Sequence, residues 1–487
     1  MCGIIGILNA DGRDSSTQAY TALLALQHRG QDSCGIISFD GSRLNLKKGV
    51  GLVSQVFSEE NLLLLKGSIS IGQVRYSTVG GSLKRDAQPF NVSVPVNAAM
   101  AHNGNVVNYD ELKAYFGPKI ESGCDVEVIL HVFAEEYAKT RNGNSEGIFQ
   151  AVKRVFERVN GAYSVVTIVE NGLLAFRDPK AIRPLVMGKS KDGKTIAFAS
   201  ETVALDALKL DFAMDIPGGE AVFIDLKGKM HEKKIDVKPA EHCMFEYVYF
   251  SRPDSQIDGK SVYETRLALG KAIGERLKDK GDVVVAVPDT ARPSAYALAN
   301  AMGIPNEEGL IKNRYVWRTF IMPTQKQRDK AIGVKLNVNK PVVNGKKVIL
   351  VDDSIVRGTT SRKIVRLVKE HAKSVHFVST CPPIINPCYY GVYFPDEAEL
   401  IAHTKSTEEI RKELDADQLT YATVEDLKKA IGVPLCTACL TGEYPTKVTE
   451  EYKRQLRDAR RKDRDLVTDE FKENGSVESG EYSDTSR

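Results

Sequence analysis

The stretch that decides the fold of the second half of the chain is Lys347-Val348-Ile349-Leu350-Val351-Asp352-Asp353-Ser354-Ile355-Val356-Arg357-Gly358-Thr359-Thr360-Ser361. Its apolar run, residues 348–351, is typical of a parallel strand that is buried on both faces. Two carboxylates follow the run, and a Gly-Thr-Thr-Ser turn follows them where a helix would begin. Amides and hydroxyls at a helix N-terminus bind phosphate, and paired carboxylates can accept hydrogen bonds from the vicinal hydroxyls of a sugar. The stretch therefore predicts a strand, loop and helix that bind a phosphorylated sugar.

A second apolar run, Val283 to Val287, predicts another buried parallel strand in this half. The loop after it, residues 288–292, fits a site for pyrophosphate on its backbone amides and for Mg²⁺ on the hydroxyl of Thr290, and fits an ordinary loop equally well. The cationic segment from Lys312 to Lys335 lacks a clear strand and indicates a lid that closes over an anionic substrate. We therefore expect a doubly wound α/β domain.

The first half of the chain shows short alternating strands without the regular strand-helix alternation of a parallel sheet. The predicted strands are residues 68–75, 94–101, 163–169, 173–177, 195–199 and 221–225, and the predicted helices are residues 19–27 and 125–140. This pattern is typical of two layers of mixed or antiparallel sheet with helices outside. We expect a first domain over residues 1–237, a second over 238–450, and a charged tail over 451–487 that is a solvated helix followed by disorder.

The composition excludes several classes of protein. The 487 residues suffice for two large domains, and 67 Lys and Arg against 64 Asp and Glu give a formal charge of +3, too small an excess for a dedicated nucleic-acid binder. No apolar run reaches the roughly 18 residues of a membrane helix, and residues 1–8 lack the cationic start of a signal peptide. We expect a cytoplasmic protein that binds neither nucleic acid nor a membrane, with its eight cysteines reduced, catalytic or bound to metal.

Cys2 is the candidate nucleophile. Removal of Met1 would leave its thiol and a free amine on one carbon, and an α-amine with a pKa of roughly 7.7–8.0 can take the thiol proton. Three segments accompany Cys2-Gly3-Ile4 in the same order: residues 27–33, 73–78 and 101–105. Together they resemble the glutaminase domain of N-terminal-nucleophile amidotransferases. The resemblance implies an α+β fold, an αββα sandwich, and attack of the cysteine on the side-chain amide of glutamine.

This chemistry needs an oxyanion hole and a clamp for a free amino acid. The side chain of Asn103 and the backbone N–H of Gly104, at the end of a predicted strand, are suited to the oxyanion hole. Arg75 can pair with the α-carboxylate of glutamine, and Asp125 with its α-ammonium group while also capping the helix that begins there. The resemblance completes the glutamine site with Thr78 and His102. The histidine is expected to orient the Asn103-Gly104 turn rather than to act as a base.

The stretch 347–361 resembles the motif with which type I phosphoribosyltransferases bind phosphoribosyl pyrophosphate (PRPP). The resemblance implies an α/β type I phosphoribosyltransferase domain in which the carboxylates contact the ribose and the turn holds its phosphate. The residues expected to bind PRPP are Asp352, Asp353, Arg357, Gly358, Thr359, Thr360, Ser361, Asp289, Lys312 and Arg318. The residues expected to bind Mg²⁺ are Thr290, Asp352 and Asp353.

A cysteine glutaminase followed by a PRPP-binding domain is similar to the amidophosphoribosyltransferase family, and the match runs from Cys2 to about Thr446. The resemblance implies an enzyme that converts PRPP, glutamine and water to 5-phosphoribosylamine, glutamate and pyrophosphate, the first committed step of de novo purine synthesis. It further implies passage of ammonia between the two sites, feedback inhibition by purine nucleotides, and a homotetramer or homodimer.

Four cysteines suggest a further cofactor. Cys436-Thr437-Ala438-Cys439 is a C-x-x-C motif, and Cys243 and Cys388 are available as distant partners. Four thiolates suit a [4Fe-4S] cluster or a tetrahedral zinc ion. Because these positions match the cluster-bearing branch of the family, we expect the iron-sulfur cluster, with zinc as the alternative.

Two other functions fit part of the pattern. A different amidotransferase, such as an aminosugar synthase or an asparagine synthetase, would share the first half, but residues 352–361 argue against it. A non-catalytic PRPP or purine sensor would share the second half, but a sensor has no use for a glutaminase. The coupled enzyme accounts for both halves.

Overall fold

The computed structural model of the chain describes residues 2–76, 84–141, 144–278, 281–313 and 336–458. Within these ranges the first half folds into two antiparallel sheets between helices, and the second half folds around a parallel sheet. The predicted αββα and α/β architectures are both confirmed. Thr78, Arg318 and most of the predicted lid, residues 314–335, lie outside the described residues. None of the described helices is long and apolar enough to cross a membrane.

The first domain contains strands joined mainly by short connections. Its strands are β1 (Gly3–Asn9), β2 (Ser33–Phe39), β3 (Leu44–Val50), β4 (Ile69–Arg75), β5 (Phe90–Val92), β6 (Ala98–Val106), β7 (Gly161–Val169), β8 (Gly172–Arg177), β9 (Val186–Lys189), β10 (Thr195–Ala199), β11 (Asp211–Asp215), β12 (Glu220–Asp225) and β13 (Met230–Lys234). Its helices are α1 (Ser16–Ala25), α2 (Val53–Val56), α3 (Glu59–Leu64), α4 (Tyr109–Phe116), α5 (Val126–Thr140), α6 (Ser145–Arg158) and α7 (Thr202–Ala207), with 3₁₀ turns at Gln27–Arg29, Lys84–Asp86 and Gly117–Lys119. Among the described strands, one sheet has the order β11-β9-β10-β1-β4-β2-β3 and the other β13-β12-β8-β7-β6-β5.

The first strand shows why the two sheets stack. Side chains alternate between the two faces of a strand, so Ile4 and Leu8 point into the core between the sheets, whereas Ile5 packs beneath α1. A Cβ on Gly6 would lie 3.2 Å from the side chain of Val166 in the facing sheet. Each buried aliphatic side chain of this kind contributes roughly 1.5–3 kcal/mol. Because both faces of β1 are covered, the start of this strand, directly after Cys2, is fixed in the core.

The second domain contains strands β14 (His242–Cys243), β15 (Gln256–Ile257), β16 (Lys260–Ser261), β17 (Val283–Ala286), β18 (Leu310–Lys312), β19 (Leu336–Val338), β20 (Lys347–Asp352), β21 (Ser374–Ser379), β22 (Gln418–Tyr421) and β23 (Leu435–Cys436). Its helices are α8 (Val262–Arg276), α9 (Arg292–Met302), α10 (Lys340–Val343), α11 (Thr359–Lys369), α12 (Ile401–Thr404), α13 (Thr407–Leu414), α14 (Val424–Ile431) and α15 (Ala438–Thr441), with a π-helical turn at Glu246–Phe250 and a 3₁₀ turn at Glu397–Glu399. A parallel sheet of order β17-β20-β21-β22 lies at its centre.

The strand predicted from the opening stretch is confirmed as β20. Val348 and Leu350 face the core beneath α11 and α13, and Ile349 and Val351 face the core beneath α8 and α9. A strand covered on both faces has no solvent-facing positions, which explains its continuous apolar sequence. Its carboxyl end places Asp352 at the edge of the sheet.

The strand β6 differs from the prediction at both ends. It was expected over residues 94–101 but runs from Ala98 to Val106, so that Asn103 and Gly104 lie inside a strand rather than in a turn at its end. The neighbouring β7 pairs with this part of β6 throughout. Gly104 permits the close pairing, because a Cβ there would lie 1.9 Å from the carbonyl oxygen of Ala162.

The start of the charged tail also differs from the prediction of a solvated helix. Residues 450–458 are helical, but Tyr452 and Leu456 are buried against the second domain. Their spacing of four places both side chains on one face of the helix, and the charged residues between them cover the other face. The described part of the tail is therefore packed as part of the fold.

Candidate functional site

The candidate nucleophile is anchored through its backbone. Cys2 directly precedes β1 and is 8% exposed. Its backbone nitrogen donates a hydrogen bond to Oδ1 of Asn103, at 3.2 Å. Nε of Arg29, in the 3₁₀ turn after α1, donates to the carbonyl oxygen of Cys2 at 2.9 Å. The residue is therefore held next to Asn103 before any substrate binds.

Asn103 carries a donor that the described residues leave unused. Its side chain is buried, and Nδ2 has no hydrogen-bond partner in the described part of the chain, although buried polar groups are normally paired. An unpaired buried donor costs about 1–3 kcal/mol. The donor belongs to the same side chain whose oxygen accepts from Cys2. This is the position in which a donor for a developing oxyanion is needed.

The second domain covers the strand that carries Asn103. Gly391 has φ +102°, and a Cβ there would lie 2.9 Å from the carbonyl oxygen of Gly104. Nδ2 of Asn105 donates to the carbonyl oxygen of Tyr389 at 2.9 Å and to the hydroxyl of Tyr452 at 2.6 Å. The strand β6 therefore contacts both the segment after β21 and the helix at residues 450–458.

Asp125 stands at the N-cap position of α5, yet its carboxylate makes no capping hydrogen bond, contrary to the prediction. Instead Oδ2 accepts from the backbone nitrogen of Val106 at 2.9 Å, and Oδ1 lies 3.3 Å from Nε2 of His102. Burial acts to raise the pKa of this carboxyl, but the His102 imidazole, the Val106 amide and the charge of Arg75 outweigh it and hold the pKa of Asp125 below its ordinary value. Asp125 is therefore ionised at neutral pH, as a partner for an ammonium group must be.

Arg75 ends β4 and is 5% exposed. Burial acts to lower the pKa of its guanidinium, but nearby Cys124, Cys2 and Asp125 raise this pKa above its ordinary value, so that the side chain stays charged. The backbone of Arg75 is packed tightly, since a Cβ on Gly30 would lie 2.5 Å from its carbonyl carbon. The structure thus brings a cation and an anion to the neighbourhood of Cys2.

Four buried charged residues meet between the two domains. Arg29, Arg183, Glu201 and Glu246 have side chains that are at most 1% exposed, and we call them the junction cluster. Burial acts to lower the pKa of Arg29, but the charges of Glu246 and Glu201 raise it well above its ordinary value. Burial acts to raise the pKa of Glu201, but His28 and Arg29 lower it far below the ordinary value. Because opposite charges offset the cost of burial only when their geometry is good, the cluster ties the domains in one arrangement.

The carboxylates of the opening stretch lie at the carboxyl edge of the parallel sheet. Asp352 ends β20 and is 9% exposed, and Asp353 follows it. Burial, together with the charge of Asp353, raises the pKa of Asp352 well above its ordinary value. Burial also raises the pKa of Asp353, to about 6, against the effects of the Ser354 hydroxyl and the charge of Arg266. Arg266 is too far away to form an ion pair with either carboxylate, and no other described cation does so, so that a divalent ion or a set of sugar hydroxyls would supply closer partners.

The Gly-Thr-Thr-Ser turn, predicted to bind phosphate, lies at the start of α11. Gly358 precedes the helix with φ +73°, and a Cβ there would lie 2.6 Å from the side chain of Ile401. Thr359 and Thr360 are exposed on the first turn, whereas Ser361 is buried. Exposed hydroxyls and free amides at the start of an eleven-residue helix fit a phosphate group.

The cationic and anionic side chains around this edge pair with one another. Nζ of Lys312 lies 2.7 Å from Oδ2 of Asp289, although each was predicted to contact PRPP. Nε of Arg357 donates to Oε2 of Glu399 at 2.9 Å. Thr290 lies in the turn between β17 and α9. The structure thus gathers these residues around β17 and β20, and Arg318 lies outside the described residues.

The four candidate cluster cysteines line one pocket. Cys243 and Cys436 are paired residues of the small parallel sheet β14-β23. Sγ of Cys388 accepts a hydrogen bond from the backbone nitrogen of Tyr390 at 3.3 Å. Burial raises the pKa of Cys243 and, to a greater extent, that of Cys439. None of the eight cysteines of the chain forms a disulfide.

Sequence reasoning missed the residues that support the glutamine site. Gln88 holds His102 through two contacts, one from Nε2 to Nδ1 at 2.9 Å and one from the His102 backbone nitrogen to Oε1 at 2.8 Å. Arg29 lay in a segment quoted for its resemblance, but its own role was not assigned. The sequence analysis assigned no role to Glu246. A lone glutamate in the otherwise apolar and aromatic stretch 243–250 was the signal that could have identified it.

Comparison with known proteins agrees with this geometry. A family model described as a glutamine amidotransferase domain matches residues 74–207, and one described as a phosphoribosyl transferase domain matches residues 260–388. The solved structure of glutamine PRPP amidotransferase from B. subtilis, complexed with ADP and GMP, superposes with a TM-score of 0.83 and 38% identity, covering 92% of this chain and 98% of that one. Fold and site together define a two-domain glutamine amidotransferase with a phosphoribosyltransferase domain.

Curated relatives match along nearly their whole length. The amidophosphoribosyltransferase of Methanothermobacter thermautotrophicus is 43% identical over 91% of this chain and 94% of its own, and that of Methanocaldococcus jannaschii is 44% identical over 93% and 99%. The chain belongs to the amidophosphoribosyltransferase family. It is a glutamine amidotransferase and pentosyltransferase that acts at the first step of purine biosynthesis.

Proposed function

We propose that Cys2 is the nucleophile of glutamine hydrolysis and that its own α-amine, free once Met1 is removed, is the base. The thiol proton passes to the amine, and the sulfur attacks the side-chain carbonyl carbon of glutamine. Nδ2 of Asn103 and the backbone N–H of Gly104 hold the resulting oxyanion. The amine then returns its proton to the departing ammonia, and water hydrolyses the thioester to glutamate. The observation that carries this proposal is the unpaired, buried Nδ2 of Asn103 on the side chain that binds the nitrogen of Cys2.

Glutamine is oriented by its two α-substituents. Arg75 pairs with the α-carboxylate, and Asp125 pairs with the α-ammonium group. His102 holds Asp125, and Thr78 completes the site. The ionised states of Arg75 and Asp125, and the proximity of Arg75 to Cys2, support these roles.

The ammonia displaces pyrophosphate at C1 of PRPP, which gives 5-phosphoribosylamine. Asp352 and Asp353 accept hydrogen bonds from the ribose hydroxyls. The first turn of α11, together with Arg357, binds the 5-phosphate. The residues proposed to bind PRPP are Asp352, Asp353, Arg357, Gly358, Thr359, Thr360, Ser361, Asp289, Lys312 and Arg318. Their convergence on one edge of the parallel sheet, for those within the described ranges, supports this assignment.

Mg²⁺ fits the donors near this edge. The donors are oxygens from Asp352, Asp353 and Thr290, which suit a hard cation. Burial raises the pKa values of the two carboxyl groups, and a bound cation would offset the cost of ionising them. When bound, the ion would neutralise the charge of the leaving pyrophosphate.

We further propose that Cys243, Cys388, Cys436 and Cys439 hold a [4Fe-4S] cluster, which places the chain in the iron-sulfur branch of its family. A zinc ion with Zn–S bonds of about 2.3 Å would need its sulfurs within about 4 Å of one another. No group of three or more His, Cys, Asp or Glu side chains in the described ranges is placed to hold a metal ion. The observation that supports the proposal is that all four cysteines line one pocket. Bound, it would cross-link β14-β23 to the segment after β21.

We infer the regulation and the assembly of this protein from its relatives. The B. subtilis enzyme was solved with ADP and GMP, so purine nucleotides are the proposed feedback inhibitors. The proposed assembly is a homotetramer or homodimer in the cytoplasm, without nucleic-acid partners. The proposed domain limits, 1–237 and 238–450, are supported by the end of β13 at Lys234 and the start of β14 at His242.

The test is pyrophosphate release from PRPP and Mg²⁺ by the purified protein, with glutamine or ammonium chloride as nitrogen donor and glutamate measured in parallel. Equal amounts of glutamate and pyrophosphate are expected with glutamine. Hydrolysis of glutamine without consumption of PRPP would show that the second domain takes another acceptor. Iron and sulfide analysis of an anaerobic sample, with its brown absorbance, tests the cluster separately.

A further inference from the structure

A glutamate of the second domain binds the arginine that binds the backbone of Cys2. Glu246 begins the π-helical turn of the second domain, and its side chain is 1% exposed. Its Oε1 accepts from Nη2 of Arg29 at 2.7 Å, and its Oε2 accepts from Nη1 of the same guanidinium at 3.0 Å. This is a bidentate pair, whose two parallel hydrogen bonds hold the carboxylate and the guanidinium in one plane.

Arg29 passes this constraint to Cys2. A guanidinium is planar and rigid, so the direction of Nε is set once the two terminal nitrogens are held. Nε donates to the carbonyl oxygen of Cys2 at 2.9 Å. That carbonyl is bonded to the Cα that carries the thiol and the amine. Glu201 of the first domain also accepts from this guanidinium, at 2.5 Å, but Glu246 is its bidentate partner and therefore helps to fix the carbonyl of Cys2.

Glu246 is also linked, through Ser251 and Arg266, to the residues proposed to bind PRPP. Its Oε2 accepts from the hydroxyl of Ser251 at 2.9 Å. Nη2 of Arg266 donates to the carbonyl oxygen of Ser251 at 2.7 Å, and the charge of Arg266 acts on Asp353. Hydrogen bonds therefore link Cys2 to Arg266 through Arg29, Glu246 and Ser251, and the last step, from Arg266 to Asp353, is electrostatic.

We propose that Glu246 is a positioning residue of the glutaminase site, supplied by the phosphoribosyltransferase domain, and that it acts through Arg29 on the carbonyl of Cys2. This inference rests on the proposed role of Cys2 as nucleophile. It makes glutamine cleavage depend on correct docking of the second domain. Cys2 then releases ammonia only when the phosphoribosyltransferase domain, which takes up the ammonia, is docked.

Glu246→Gln is the variant that tests the proposal, because it keeps the shape of the side chain. The amide turns one of its two acceptors into a donor that faces the donors of Arg29, so the two-bonded pair is lost. The matched control is Asp258→Asn. Asp258 is also a buried carboxylate of the second domain that accepts two hydrogen bonds from a buried first-domain arginine, Arg177, at 2.6 and 2.9 Å. That pair makes no bond to Cys2 among the contacts of the described residues.

Three quantities are measured on the full-length enzyme. The first is kcat and KM for glutamine, and the second is the rate with ammonium chloride at the same PRPP concentration. The third is the rate at which a diazoketone analogue of glutamine alkylates Cys2, followed by peptide mass spectrometry. For Glu246→Gln we expect kcat with glutamine and the alkylation rate to fall about 10- to 100-fold, with KM for glutamine and the ammonia-dependent rate within about twofold of wild type.

The control separates positioning from general loss of stability. Asp258→Asn should lower Tm to a similar extent and leave the ratio of glutamine-dependent to ammonia-dependent activity unchanged. An unchanged ratio in Glu246→Gln, or an equal drop in Asp258→Asn, would overturn the proposal. If Glu246→Gln does not fold, Ser251→Ala removes one donor to Glu246, at 2.9 Å, and a long contact to Arg29, at 3.5 Å. It should lower the same ratio about two- to fivefold, and no change would again overturn the proposal.

The labelling experiment also distinguishes this inference from the proposed function. If the reagent does not modify Cys2 of the wild type, the assignment of the nucleophile is wrong and the positioning role falls with it. If Cys2 is modified equally fast in wild type and Glu246→Gln, the nucleophile stands and only the positioning role is wrong.

Discussion

The two candidate sites of the molecule are built in opposite ways. In the glutaminase site the reacting groups are buried and bonded before substrate binds: Cys2, Asn103 and Arg75 are 8%, 1% and 5% exposed. At the PRPP edge, Thr359 and Thr360 are exposed, and the charged side chains pair with one another on the surface.

The difference reflects the two ligands. A small amide attacked by a thiol gains most from donors that are already in place, because no reorganisation is then needed during the reaction. A large polyanion must enter from solvent, and exposed ion pairs that are worth about 0–1 kcal/mol can exchange partners for its phosphates. The glutaminase site should therefore respond to the loss of single atoms, and the PRPP site to changes in charge.

The largest expected effect is that of Cys2→Ala. Removing the nucleophile should lower glutamine-dependent synthesis by roughly 10³-fold or more. Ammonia-dependent synthesis should be retained, because the PRPP residues are untouched. Product formation with each nitrogen donor measures both. Loss of both activities would contradict the division of labour between the sites.

Asn103→Ala should lower kcat for glutamine by about 10²- to 10³-fold, because it removes an oxyanion donor. Asn103→Asp is the informative companion, since it keeps an acceptor for the nitrogen of Cys2 but lacks the donor. We expect it to be as impaired as the alanine variant in steady-state assays. Recovery of activity in Asn103→Asp would show that the side chain only anchors Cys2.

Gly391→Ala tests whether the second domain shapes the oxyanion strand. The new Cβ would lie 2.9 Å from the carbonyl oxygen of Gly104, and we expect about a tenfold drop in glutamine-dependent activity with a smaller drop in the ammonia-dependent rate. Gly345→Ala is the control, because Gly345 also has a positive φ, +70°, but nothing lies within 4 Å of its Cβ position. Equal effects in both variants would attribute the loss to backbone strain alone.

Asp353→Asn tests the buried charge at the PRPP edge through the pH dependence of stability. The pKa of Asp353 is raised to about 6 in the fold, so the native state holds a proton that the unfolded chain releases near pH 4. Between these values stability falls as pH rises, and the cost is fully present above pH 6. Without ligands, the variant should have a Tm higher by about 1–3 °C at pH 7.5, and this gain should shrink toward pH 4.

Thermal melts of Asp353→Asn at pH 4.5, 6 and 7.5 measure this effect. Asp282→Asn is the matched control, because Asp282 is an exposed carboxylate at the start of the neighbouring strand β17. Its substitution should leave the pH dependence as in wild type. A Tm gain for Asp353→Asn that is the same at all three pH values would contradict the assigned cause.

Glu399→Gln should have the smallest effect. Its pair with Arg357 is partly exposed, so the free energy of unfolding should change by less than about 1 kcal/mol. Release of Arg357 should lower KM for PRPP by about twofold, measured in the ammonia-dependent reaction. Glu413→Gln removes a similarly exposed carboxylate from its pair with Lys405 and should leave this KM unchanged. A raised KM in Glu399→Gln would mean that Glu399 positions Arg357 for substrate.

Local patterns predicted most of the elements that form the two cores. The strands at Thr195–Ala199 and Lys347–Asp352 and the helix at Val126–Thr140 lie within one or two residues of their predicted ends. Alternating or continuous apolar residues define such elements without reference to the rest of the chain. The prediction was wrong where pairing extended an element, as in β6, whose polar end is held by β7.

For the candidate site, too, the residues were predicted from the sequence, but not all of their hydrogen bonds. Spacing and resemblance named Cys2, Asn103, Arg75 and Asp125, and the structure brings them together. The cap predicted for Asp125 was wrong, because the Val106 amide, on a strand about twenty residues earlier, competes for its carboxylate. A pattern within one segment of the sequence does not show that the amide of Val106 and the first amides of α5 compete for the same carboxylate.

The sequence by itself determined the class of chemistry, since a cysteine after the first methionine and a strand-to-turn motif with two carboxylates are local features of the chain. Only the tertiary structure decided which charged residues are partners. Arg29 and Glu246 are 217 positions apart and meet because two separately folded cores dock at one surface. Contacts of this kind depend on the shape of both domains, whereas periodicity reports only on neighbours in the chain.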